Sequence, residues 1–137
     1  MKKLPKKILV VDDDAGMILL LQKWLKVAGY TTATALDGYT ALDKVKSESP
    51  DLILLDVLLP DLNGTDVAKK ILEDSNTQGI PIIFMTVCID LEKDKGEEKI
   101  GVNGKFFPAF AKPLHNPKLL SVIRKSINKK IHHNKSF

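Results

Sequence analysis

Cysteine is almost missing from this chain: its 137 residues include one, Cys88. A lone thiol closes no internal disulfide, and a reducing, cytoplasmic setting is the compartment that fits. Long apolar runs are missing too. No stretch approaches the roughly 20 residues that cross a bilayer. Met1-Lys2-Lys3-Leu4-Pro5-Lys6-Lys7 also lacks the apolar segment of a signal peptide, so neither secretion nor membrane insertion is expected. The third shortage is of acid near the end. Residues 99–137 hold nine basic and no acidic side chains, whereas residues 1–98 hold 12 basic and 17 acidic, giving +9 and −5 within a net charge of +4. A basic last third can follow phosphates or anionic lipid. Lysines on the outer face of a terminal helix are commonly only solvated, however, and DNA binding by this chain is not expected.

With 44% hydrophobic and 28% charged residues, the chain fits one globular domain, placed at residues 1–130, with a basic tail at 131–137. Its organising stretch is Asp51-Leu52-Ile53-Leu54-Leu55-Asp56-Val57-Leu58-Leu59-Pro60, an apolar run that stops at one carboxylate. Four consecutive apolar residues between turn signals read as a mid-sheet strand covered on both faces. Ile8-Leu9-Val10-Val11-Asp12-Asp13-Asp14 repeats the pattern, and Ile82-Ile83-Phe84-Met85-Thr86 ends in a hydroxyl instead. Further strands are predicted over 30–35, near the sheet edge, and over 105–111. Met17, Leu20, Leu21, Trp24, Leu25 and Ala28 recur at helical spacing and are expected to be core. Other helices are expected after Asp37, over 64–74, weakly over 90–99, and after an Asn116-Pro117 cap. Five strands alternating with five helices imply right-handed crossovers and a parallel sheet with helices on both faces.

In that arrangement Asp12, Asp13, Asp56, Thr86 and Lys112 all arrive at one sheet edge, where open parallel sheets place reactive groups. Any one of them alone could be a helix cap, a strand residue or a surface charge. Together they are harder to dismiss, since two carboxylates about 5 Å apart repel by roughly 3 kcal/mol at an effective dielectric near 20. Oxygen-only ligands suit Mg²⁺ or Mn²⁺. A carboxylate beside such an ion can attack phosphorus and form an aspartyl phosphate. Metal, Lys112 and Thr86 would then supply one partner for each equatorial oxygen.

These residues resemble the receiver domain of two-component response regulators, the CheY-like family. The resemblance rests on Ile8 to Asp14, Leu54 to Gly64, Phe84-Met85-Thr86 and Ala111-Lys112-Pro113, and it runs from about Lys6 to Ile127. It implies a flavodoxin-like (βα)5 fold with strand order 2-1-3-4-5. It also implies that Asp56 accepts a phosphoryl group from a histidine kinase or phosphotransfer protein. By the same resemblance Asp13, Asp56 and the Leu58 carbonyl hold Mg²⁺, Asp12 acts through water, and Thr86 and Lys112 contact the phosphoryl group.

The sequence departs from the family in three places. Val87 stands where a small residue is usual, which predicts slow autodephosphorylation; beyond that, the resemblance implies a phosphoacceptor signalling domain and not an enzyme. The interval from Thr86 to Lys112 is a few residues long, so an extended loop into the last strand is expected. Ala109 replaces the usual switch aromatic, leaving Phe106, Phe107 or Phe110 as substitutes. Among rival readings, a flavodoxin-type cofactor site would place phosphate against Asp12-Asp13-Asp14, which repel it. A metal-dependent phosphatase would need a separate general base, and no His or Glu is placed for one. The 137 residues leave no room for a helix-turn-helix output domain after the last helix. The expected output is therefore contact with a downstream protein, unless the chain is the receiver portion of a longer regulator or hybrid kinase.

Overall fold

The structure is a computed structural model, and it describes residues 4–87, 98–112 and 118–134. Its elements in chain order are β1 (Lys7–Val11), α1 (Ala15–Val27), β2 (Thr31–Ala35), α2 (Gly38–Glu48), β3 (Leu52–Asp56) and α3 (Gly64–Glu73). They continue with β4 (Ile82–Thr86), β5 (Lys99–Val102), β6 (Lys105–Ala111) and α4 (Lys118–Asn134). Apolar runs of β-branched and aliphatic residues make the central strands. Side chains alternate between faces along each of them, so Leu9, Val11, Ile53, Leu55, Ile82 and Phe84 pack under α2 and α3. Ile8, Val10, Leu52, Leu54, Ile83 and Met85 pack on the other face with residues of α1 and α4. Burial on both sides is why these runs are continuous rather than alternating.

The sheet order is β2-β1-β3-β4-β6-β5. The first five strands in that order are parallel neighbours, which is the expected flavodoxin-like α/β arrangement. The sixth was not expected. β5 pairs antiparallel with β6, joining Lys99 to Pro108 and Val102 to Lys105. The turn between them is Asn103-Gly104, with φ of 51° and 78°, the backbone that a two-residue hairpin needs and that asparagine and glycine supply most readily. The predicted extended loop into the last strand is thus a hairpin, and Lys99, assigned by sequence to a helix, is in a strand. The carbonyl of Glu98, also assigned to that helix, instead accepts the Ala109 amide at 2.9 Å; residues 90–97 and the Asn116-Pro117 cap lie outside the described residues.

One other expectation is corrected. In α1 the buried stripe is Ile18, Leu21 and Leu25, while Leu20 is half exposed, Trp24 is half-buried and Ala28 is exposed. The run Met17-Ile18-Leu19-Leu20-Leu21 is apolar at every phase, so periodicity could not say which residues face the sheet. At the other end α4 continues through Asn134. No helix among the described residues is long and apolar enough to cross a membrane.

Candidate functional site

The carboxyl ends of β1, β3, β4 and β6 lie side by side because hydrogen bonding continues past the last paired residues. The Val57 amide donates to the Met85 carbonyl at 3.0 Å and the Lys112 amide to the Thr86 carbonyl at 3.0 Å, while the Asp12 amide donates to the Ala35 carbonyl at 3.1 Å. This alignment brings together residues far apart in sequence. Asp12 is fully buried, and Asp56 and Thr86 are 4% and 2% exposed; Asp13 is open to solvent.

The loops fix the side chains. Asp12 Oδ1 accepts the Asp14 amide at 2.9 Å, and Asp14 in turn caps α1 by accepting from Gly16 and Met17, the usual work of an N-cap aspartate. Asp56 Oδ1 accepts the Leu58 amide at 3.2 Å. Behind Asp56 the chain turns back on itself, with the Gly64 amide donating to the Val57 carbonyl at 2.7 Å. A Cβ on Gly64 would overlap the Asp56 carbonyl, so only glycine lets α3 start this close to the strand end.

Carboxylate oxygens of Asp12, Asp13 and Asp56 lie within 4.8 Å of one another. At that separation each pair repels by about 3.5 kcal/mol at an effective dielectric near 20. Lys112 offsets part of this, its Nζ lying 2.7 Å from Asp12 Oδ2 and 2.7 Å from Asp56 Oδ2. Burial lifts the Asp56 carboxyl above its ordinary range, and the bond from Lys112 opposes that lift without cancelling it. Burial works against the Lys112 charge as well, yet its two carboxylate partners hold the ammonium above its ordinary value. Three carboxylates against one ammonium leave the cluster short of positive charge.

A divalent cation fits that deficit. Among the described residues no donor meets Asp12 Oδ2 in good hydrogen-bond geometry, although the Lys112 ammonium lies 2.7 Å from it. The ligands that Asp12, Asp13 and Asp56 offer are carboxylate oxygens, as Mg²⁺ and Mn²⁺ prefer. Octahedral Mg²⁺ at about 2.05 Å sets its ligands about 2.9 Å apart when adjacent and about 4.1 Å when opposite. The observed spread is slightly wider, which small side-chain rotations, or one ligand acting through water, can accommodate.

Of the aromatics near Ala109, Phe110 is fully buried in the α1 and α4 core. Phe107 meets Phe84 edge to face at 6.1 Å between ring centres, and Phe106 is 72% exposed. Sequence reading overlooked one further residue at this edge, Asp61. Its carboxylate accepts the amides of Gly38 at 2.7 Å, Tyr39 at 2.9 Å and Leu62 at 2.8 Å. No local pattern announces a contact made 23 residues away.

The response regulator receiver domain family matches residues 8–124. Over 123 residues the chain is 40% identical to the alkaline phosphatase synthesis transcriptional regulatory protein PhoP of Bacillus subtilis, covering 88% of this chain and 50% of that protein. The chain spans half or less of the length of the curated relatives it matches. Among solved structures, a CheY-like response regulator receiver domain protein of Methanospirillum hungatei superposes with a TM-score of 0.76 at 25% identity, covering 95% of this chain and 99% of that one. The receiver domain of a sensor histidine kinase of Pseudomonas aeruginosa, with a magnesium ion coordinated in its active site cleft, superposes with a TM-score of 0.73 at 25% identity, covering 91% and 99%. The family's pattern thus extends over most of the sequence, on the expected sheet and around the acidic edge, and this chain belongs to the response regulator receiver domain family.

Proposed function

We propose that Asp56 is the phosphoacceptor of a two-component system, taking a phosphoryl group from a phosphohistidine on a histidine kinase or phosphotransfer protein. The observation that carries this reading is the setting of Asp56. It is a buried carboxylate at a strand end, with an ammonium on one oxygen and two further carboxylates close by. An Asp56 oxygen attacks phosphorus, the phosphorus–nitrogen bond breaks, and the imidazole leaves with the bonding pair. Lys112 turns from its carboxylate partners to one phosphoryl oxygen, and the Thr86 hydroxyl donates to another. Asp12, Asp13, Asp56 and the Leu58 carbonyl are the groups that would hold Mg²⁺ or Mn²⁺, Asp12 through water. The ion would neutralise charge on the phosphoryl oxygens. The magnesium reported in the Pseudomonas receiver domain supports this.

The same reading makes the chain a signalling domain, with slow loss of its own phosphoryl group as its one hydrolytic activity. Val87, 63% exposed beside Thr86, hinders the approach of water. Phosphorylation switches the output surface for a downstream protein, or for an output domain of a longer regulator; this chain itself does not bind DNA. The domain comprises residues 1–130, followed by a basic tail, and works in the cytoplasm.

The test is phosphotransfer from acetyl phosphate or a phosphorylated kinase to wild type and Asp56→Asn, with Mg²⁺ present or chelated. Wild type with Mg²⁺ should gain one hydroxylamine-sensitive phosphoryl group, and the other three combinations none. A phosphoryl group on Asp56→Asn, or turnover without an adduct, overturns the proposal.

A further inference from the structure

Resting on the metal reading above, we propose that Asp61 is a positioning residue for the metal centre: it clamps the loop carrying the Leu58 carbonyl onto the first turn of α2. The first turn of a helix leaves backbone amides without internal partners. In α2 two carboxylates serve them. Asp37, the N-cap, accepts from Thr40 at 2.8 Å, while Gly38 and Tyr39 donate to Asp61, which belongs to the loop after β3. A charged acceptor shared among three amides makes bonds stronger than neutral ones, and negative charge at a helix start is further favoured. These bonds, with Tyr39 the largest influence, hold the Asp61 carboxyl below its ordinary range.

The two segments also press together sterically. A Cβ on Gly38 would come within 2.9 Å of Leu62 Cβ and 3.1 Å of Asp61 Oδ1. From Asp61 back to Leu58 the chain is Leu59-Pro60. Proline fixes its own φ and restricts the residue before it, so this stretch cannot easily absorb a shift at one end. Where Asp61 is tied therefore bears on where the Leu58 carbonyl sits. The loop's ends are already anchored, by Leu58 to Asp56 and by Gly64 to Val57; Asp61 ties its middle.

The measurement is the Mg²⁺ dissociation constant of the full chain by titration calorimetry, beside thermal unfolding in chelator. Asp61→Ala should weaken Mg²⁺ about three- to tenfold, less than the 10- to 100-fold typical of a group bonded directly to a ligand. Asp61→Asn keeps an acceptor for Gly38 and Leu62 and should fall between Asp61→Ala and wild type. Asp37→Ala is the control, because it uncaps the same helix without touching the loop. It should lower the unfolding temperature and leave Mg²⁺ affinity unchanged. If wild type binds no Mg²⁺, the metal reading itself fails. If wild type binds and Asp61→Ala binds equally well, or Asp37→Ala loses as much affinity, the positioning role is overturned. Should Asp61→Ala not fold, Asp61→Asn decides, and an affinity equal to wild type refutes the inference.

Discussion

Replacing Asp56 with asparagine should stabilise the metal-free protein, although it removes a salt bridge. The Asp56 carboxylate faces Asp12 and Asp13 within 4.8 Å, and each repels it by about 3.5 kcal/mol or more at an effective dielectric near 20. The Lys112 ammonium at 2.7 Å attracts it by about 6 kcal/mol on the same scale. Attraction and repulsion nearly cancel, which leaves the desolvation of a carboxylate only 4% exposed without compensation. The raised Asp56 carboxyl, with burial as its first cause, has the same sign. Asparagine keeps the shape and drops the charge, and water screens the exposed Asp13, so a gain of about 1–2 kcal/mol is expected, or roughly 3–8 °C in Tm for a domain of this size. The pH dependence follows. A carboxyl raised on folding lowers stability as pH climbs from its ordinary 3.8 through its folded value. The advantage of Asp56→Asn should therefore vanish in acid, where both side chains are neutral, and be complete near neutrality. Lys112, held above its ordinary 10.5, stays charged throughout that window. Adding Mg²⁺ should reverse the ranking, since an ion at 100 times its dissociation constant stabilises the form that binds it by about 2.7 kcal/mol. Calorimetric or fluorescence melts in chelator and in Mg²⁺ across pH decide it. A less stable Asp56→Asn in chelator at neutral pH, or equal stabilisation of both proteins by Mg²⁺, would refute the electrostatic account.

Gly64→Ala should destabilise the fold by about 1–3 kcal/mol, as overpacking does, because the new methyl meets the Asp56 carbonyl; an unchanged denaturation midpoint would contradict the close approach. Phe110→Ala, in the core, should cost about 3–5 kcal/mol, whereas Phe106→Ala, 72% exposed, should stay within about 0.5 kcal/mol; chemical denaturation of the two variants side by side checks the contrast. Val87→Ala should speed loss of the Asp56 phosphoryl group by opening a route for water, measured as adduct half-life after the donor is removed. Hydrolysis no faster than wild type would exclude shielding by Val87.

What could be read from the sequence and what could not divide along the range of the interactions. β1, β3 and β4 were legible because each is an apolar run with a polar residue at its end, and in a parallel sheet those ends must fall on one edge. The convergence of Asp12, Asp13, Asp56 and Lys112 followed from that topology without any knowledge of side-chain geometry. The β5–β6 hairpin was missed although its turn is written in the sequence. Asn103-Gly104 between Ile100-Gly101-Val102 and Phe106-Phe107 is a strong local hairpin signal, but the charge-rich segment before it suggested a helix, and a four-residue strand shows no periodicity to contest that. The phase of α1 was beyond any local rule, since five consecutive apolar residues satisfy every helical face. Only the sheet, by burying Ile18, Leu21 and Leu25, selects one. Asp61 is the instructive case. Beside Pro60 it reads as turn chemistry, and its bonds to Gly38 and Tyr39 exist only because β1 lies between β2 and β3, bringing the loops that follow β2 and β3 to the same edge. A residue that acts by tying one loop to another leaves no signature in either.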